Sequence, residues 1–332
     1  MLHLSAHRHF PQRYLSVWTR SSARSIQYPA IDVPEKRCWN IADPFSGNKI
    51  GITGWQWGKP GLPIALLHHA NGFCAPLWTL VAEKMCKQYQ VVAIDARGHG
   101  DSDSPEAPGG YDWGYFVSDL TCVAQLLLDE TAQNSIAYGI GNSFGGIVTA
   151  VAEARSPGLF RKISMLDPPI YPEPSIRKNL GLEPSADGIG RRNHLVEITQ
   201  RRRSQWPSRE TARKTWVDKP MFSSWDPRAF ELYLKEGLRD RGTEVELKCH
   251  PNVEASIFKG TGSFDLFSLA PSIDIPVLMV HAANGNMSKP AYEHLARLLP
   301  DCTLLTAPVG HLMPMEAPGL TVEILEEFSS TN

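Results

Sequence analysis

An apolar run at Ile136–Ile140 passes directly into Gly141-Asn142-Ser143-Phe144-Gly145-Gly146 and then into the small-residue stretch Ile147–Ala150. A strand that turns this abruptly into a helix needs strained backbone angles at the apex and neighbours too small to collide. Gly141, Gly145 and Gly146 meet that need and leave Ser143 at the apex. A strand feeding a crossover helix belongs to an alternating pattern around a mostly parallel sheet, so the expected fold class is α/β. With 26 glycines in the chain, G-x-S-x-G is weak as a bare pentapeptide. Its position between an apolar strand and a small-residue helix is what gives it weight.

The rest of the chain follows the same alternation from about residue 36. Strands are expected at Ile50–Trp57, Ile64–His68, Val91–Asp95, Ile136–Ile140, Ile163–Leu166, Val277–His281 and Thr303–Thr306. Helices are expected near 76–87, 115–128, 144–155, 290–298 and 316–328. The alternation stops between about 169 and 270, where proline, arginine and tryptophan replace strand-like runs. The core is therefore expected over 36–168 and 271–332, with 169–270 inserted as a helical cap. Within it, Asp226-Pro227 reads as an N-cap with proline at the first helical position, and Phe230, Leu234 and Leu238 recur on one face.

The formal net charge is -2 and the acidic and basic residues nearly balance, so no overall field draws in nucleic acid or an anionic membrane, and a small neutral substrate fits that balance best. Arg201, Arg202 and Arg203 are read as a solvated face or local ion pairs rather than a phosphate-binding patch. No apolar run reaches the 18 or so residues that a spanning helix requires. The six cysteines, at 38, 74, 86, 122, 249 and 302, show no metal-ligand spacing and read as reduced, buried or partly buried thiols of an intracellular protein. Residues 1–31 carry four arginines, five serines and no acid. That composition suits a mitochondrial presequence or a basic tail; without a presequence the expected location is the cytoplasm.

Serine at its free pKa is a poor nucleophile and needs a base, which such folds supply after the last strand. His311 stands there, in the segment CTLLTAPVGHLMPMEAP. A carboxylate must then orient the imidazole. The loop after the strand Val277–His281 reads HAANGNMS and holds no acid. Asp167 ends the strand ISMLD, beside the nucleophile turn in a doubly wound sheet, and is assigned as the acid. Backbone donors for an oxyanion are expected at Phe144 and in the loop HHANGFC, with Asn71 preferred and Gly72 or Phe73 as alternatives.

Taken in order, LLHHANGF, VVAIDARGHGDSD, GNSFGG, LDPP and GH resemble the α/β-hydrolase family over about 36–332, and within it the esterase-type members with a helical cap after strand six. The resemblance implies a Ser143–His311–Asp167 triad, an oxyanion hole at Asn71 and Phe144, a small ester-like substrate and no cofactor or metal. It also implies that Arg97 and His99 brace the site rather than react. Two features depart from the family pattern: Ala70 follows His69 where glycine is usual, and the strand-seven acid is missing.

Thioesterase, lactonase or carbon–carbon hydrolase chemistry would use the same three residues, whereas an epoxide hydrolase or dehalogenase would carry aspartate at position 143. A metal-dependent hydrolase built from His68, His69, Asp95 and His99 and a catalytically silent binding protein are the readings from other classes. Trp206, Trp216, Phe222 and Trp225 are either pocket walls or the core of the inserted segment.

Overall fold

The computed structural model describes residues 34–105, 108–172, 174–182 and 189–331. The basic segment 1–31 lies outside them. The main sheet is built from β1 (Glu35–Ala42), β2 (Lys49–Trp57), β3 (Ile64–His68), β4 (Gln90–Ile94), β5 (Tyr138–Asn142) and β6 (Ile163–Leu166). After the insertion, which contains the short strands β7 (Gln205–Trp206), β8 (Leu238–Arg241) and β9 (Glu244–Leu247), come β10 (Val277–Ala282) and β11 (Cys302–Ala307). The eight-stranded order is β1-β2-β4-β3-β5-β6-β10-β11. β1 and β2 run antiparallel, and every pair from β4 to β11 is parallel.

β1 has no counterpart among the expected strands. Its residues EKRCWNIA are mostly exposed on an edge, where charged side chains dilute the apolar alternation that marks a strand. The inner strands are readable because both faces are covered. Leu66, Val92 and Met279 point into one buried layer, and their neighbours Leu67, Val91 and Leu278 point into the other. Helices Trp113–Thr131 and Phe144–Arg155 cover the first layer. Helices Thr79–Met85 and Pro318–Thr331 cover the second.

The insertion is not purely helical. Its three short strands form an antiparallel sheet in the order β7-β9-β8. Asp226 caps the helix Pro227–Glu236 through the Arg228 N–H at 2.9 Å, as expected. That helix ends at Gly237, and Leu238 is buried as the first residue of β8 instead of its last turn. Trp206, Trp216, Phe222 and Trp225 are all buried. Trp216 stacks on Phe222 and Tyr233 with centroids 5.5 and 5.2 Å apart. These rings join Phe73 and Leu77 of the core in one cluster. Large aromatic surfaces gain most by covering each other, so the insertion spends them on its own core.

All six cysteines are free thiols, but Cys38 is exposed on the edge strand rather than buried. Among the described residues no helix is long and apolar enough to cross a membrane.

Candidate active site

The sheet places its chemistry at the carboxyl ends of the parallel strands, around the point where the chain passes from β3 to β4 on one side and to β5 on the other. Asn142 pairs with Leu166 in register, so Ser143 and Asp167 leave adjacent strands at the same level. Ser143 N–H donates to Leu166 O and Asp167 N–H to Val280 O, both at 2.8 Å.

Ser143 has φ 55° and ψ −122°, and Asp167 has φ 44°. With Ala132 they are the only described non-glycine residues at positive φ. Such backbone costs on the order of 1–3 kcal/mol per residue and persists where the surroundings enforce it. At Ser143 the enforcement is steric. A Cβ on Gly141 would lie 2.2 Å from Gly145 C, and one on Gly145 would lie 2.4 Å from His68 O.

His311 Nε2 is 2.8 Å from Ser143 Oγ, and its Nδ1 is 2.6 Å from Asp167 Oδ2. A carboxylate accepts, so Nδ1 carries the proton and Nε2 is left to accept from the serine hydroxyl. Asp167 is fully buried. Its Oδ1 accepts from Ala282 N–H at 2.9 Å and from the Tyr292 hydroxyl at 3.1 Å. The same hydroxyl lies 2.5 Å from Pro168 O. Burial, then the neighbouring Asp167 charge, push the Tyr292 phenol far up, which keeps it a donor.

Of the loop donors, Gly72 N–H donates to His99 Nε2 at 3.0 Å and Phe73 N–H to Ala70 O at 3.2 Å. Both are therefore spent. No backbone hydrogen bond takes the N–H of Asn71 or Phe144 among the described residues, and both residues line the cavity that holds Ser143 and His311. The Asn71 side chain is anchored, its Nδ2 donating to Glu254 O at 3.0 Å.

The histidines of the neighbouring loops serve the backbone. His69 Nε2 accepts from Ala96 N–H at 2.9 Å, which leaves Nδ1–H for Ala70 O at 2.8 Å. His99 accepts from Gly72 and donates to Arg97 O at 3.0 Å. Both rings are thus neutral, and burial holds His99 down to about 4. The Asp95 carboxylate accepts from Ala75 and Asp101 N–H groups. Among the described residues no group of three or more His, Cys, Asp or Glu is arranged to hold a metal ion. Arg97 grips Asp119 through Nε and Nη2 at 2.7 and 2.6 Å and reaches Asp43 at 3.0 Å, bracing the loop after β4.

A model of the alpha/beta hydrolase family matches residues 65–324. The chain belongs to that family. Among its relatives in the α/β-hydrolase family, the abhydrolase domain-containing protein AFT2-1 of Alternaria alternata is 23% identical over 235 residues, covering 57% of this chain and 81% of that protein. The crystal structure of E-2-(acetamidomethylene)succinate hydrolase superposes with a TM-score of 0.71 at 18% identity, covering 89% of this chain and all of that one. A thermophilic esterase from Thermogutta terrifontis superposes at 0.65 with 20% identity, covering 89% and 98%. At these identities the structural likeness speaks to the fold alone.

Four residues at this α/β-hydrolase site, Asn142, Glu254, Tyr292 and Glu316, escaped the sequence reading. Asn142 Nδ2 bridges Leu166 O at 2.9 Å and His311 O at 3.1 Å. Glu316 accepts from Gly310 N–H and Leu312 N–H, each at 2.9 Å, so one carboxylate clamps both sides of His311. Tyr292 supports Asp167, and Arg202 and Glu254 form a charged pair in the cavity wall. Only the Glu316 clamp had a local signal, an acid five residues beyond the histidine.

Proposed function

We propose that this hydrolase cleaves a carboxylic ester, or a related acyl bond, of a small substrate with a substantial apolar part. Ser143 is the nucleophile, His311 the base and Asp167 the acid. The observation that carries this reading is the unbroken chain of contacts from Ser143 Oγ through His311 to Asp167, at 2.8 and 2.6 Å, opening on a cavity of about 960 Å³. His311 takes the serine proton as Oγ attacks the carbonyl, then gives it to the departing alcohol. The Asn71 and Phe144 N–H groups receive the developing oxyanion, which removal of a single donor in comparable sites weakens by roughly 2.7–4 kcal/mol. In the second step His311 activates water to release the acid and regenerate Ser143.

Residues 169–270 act as a cap in this reading. Leu195, Ile198, Thr199 and Met221 from that segment line the same cavity as Asn71 and Ser143. An intact, cavity-facing triad also favours an enzyme over a silent binding protein. Labelling by a fluorophosphonate probe tests the reading: wild type reacts, and Ser143→Ala, His311→Ala and Asp167→Asn lose most or all of the reaction. Equal labelling of wild type and Ser143→Ala removes its basis. A panel of matched esters, thioesters and lactones then names the bond.

A further inference from the structure

Arg202 is the one arginine or lysine among the described residues that line the Ser143 cavity. It follows the helix Ile189–Gln200 and reaches Glu254 on the helix Pro251–Lys259. Arg202 Nη2 stands 2.5 Å from Glu254 Oε2, yet Nε, Nη2 and that oxygen are all buried without a hydrogen bond. The two charges touch without aligning donor and lone pair. Arg97 shows the alternative in the same chain, where Nε and Nη2 meet Asp119 in a two-bond fork.

A buried ion pair with poor geometry does not recover its desolvation cost, which amounts to several kcal/mol per ion, and so is a poor stabilising device. Its location suggests another use. The Glu254 carboxyl packs over Gly72, where an added Cβ would meet it at 2.8 Å, and the Glu254 carbonyl anchors Asn71. The pair therefore borders the loop that faces Ser143. About a third of the Arg202 side chain stays exposed. With Nε and Nη2 sealed and no hydrogen bond drawn by Nη1, the accessible end of the guanidinium is Nη1. Burial pushes the Glu254 carboxyl up, while the Arg202 charge beside it pulls the other way.

We infer that Arg202 seats an anionic group, a carboxylate, on the substrate that Ser143 attacks. The apolar walls then hold the remainder of the molecule, and Glu254 fixes the guanidinium in place from behind. This inference rests on the hydrolase reading above.

The test compares two aryl esters of equal length on the full chain, p-nitrophenyl hydrogen glutarate and the neutral p-nitrophenyl pentanoate. Hydrogen bonds to a charged partner predict a tenfold or greater loss of kcat/KM for the anionic ester in Arg202→Met, carried mainly by KM. The neutral ester changes by less than about threefold, and Arg202→Lys recovers part of the loss. Equal losses on both esters, or none on either, overturn the inference. Should Arg202→Met fail to fold, 5-amino-5-oxopentanoate and pentanamide, which share the amide end and differ in a distal carboxylate, are compared as inhibitors of wild type acting on the neutral ester. The anionic amide inhibits at lower concentration if the seat exists, and equal inhibition overturns it. Fluorophosphonate labelling that depends on Ser143 shows in parallel whether the hydrolase reading itself stands.

Discussion

Asp167 and His311 lie 144 residues apart in the chain and meet at 2.6 Å through Oδ2 and Nδ1. The loop after β10 packs close against that pair: a Cβ on Gly285 would stand 3.0 Å from Asp167 Oδ2 and 3.1 Å from Ala282 Cβ. Asp167 therefore has beside it, on the loop of the adjacent strand, a residue without a side chain.

Asp167→Asn is expected to lower kcat on a simple aryl ester by on the order of 10³-fold or more, because the amide cannot hold the imidazole in the productive tautomer. Gly285→Ala should lower it by about tenfold while leaving the melting temperature within a few degrees. Steady-state kinetics and a melting curve on each variant check both, and full activity in Asp167→Asn would move the acid elsewhere.

Glu316 binds no reacting atom in the proposed mechanism, but it fixes the turn that carries His311. Glu316→Ala leaves two N–H groups without their acceptor, a loss of roughly 1–3 kcal/mol of stability if they stay dry. Slower fluorophosphonate labelling should accompany it, with Glu316→Gln intermediate because the amide oxygen still accepts one bond. A normal labelling rate in Glu316→Ala would show that the turn holds itself.

Gly145→Ala brings a Cβ to 2.4 Å from His68 O, a backbone atom of the central strand that has nowhere to move. The expected result is a loss of soluble, folded protein, or a destabilisation above about 3 kcal/mol, well beyond an ordinary surface substitution. Circular dichroism during urea titration measures it, and a near-native midpoint would contradict the packing described.

Acid weakens this fold through its buried histidines. Burial holds His68 and His99 to about 4, against 6.5 in the unfolded chain. Between those values the unfolded state binds more protons, so stability is full above pH 6.5 and falls as pH drops toward 4, by a few kcal/mol in total. Asp95, pushed by burial up to about 6, takes its proton early in the folded state and offsets part of the fall. The urea midpoint should therefore decrease from pH 7.5 to 5, and His99→Gln should flatten that slope. An unchanged slope would mean that the ring does not stay neutral.

The sequence was most informative where a structural requirement is local. Gly141, Gly145 and Gly146 announce a sharp turn because only glycine tolerates the approach of His68 O and of its own neighbours. Strands β3 and β6 agree with their expected limits because burial on both faces leaves an uninterrupted apolar run. Exposed β1 and the small antiparallel sheet of the insertion carry no such pattern. The tryptophans at 206, 216 and 225 suit a pocket or a core, since an aromatic ring satisfies both, and the structure buries them in a core.

By itself, then, the sequence determined the alternating fold, the turn that presents Ser143, and the order in which Ser143, Asp167 and His311 follow their strands. Tertiary structure alone decided which distant groups meet. Asn142 reaches the His311 carbonyl, Tyr292 supports Asp167, and Arg202 lies against Glu254 without bonding it. The physical reason is that backbone conformation and apolar periodicity are written in neighbouring residues, whereas hydrogen bonds and ion pairs between separate loops depend on how whole strands and helices stack.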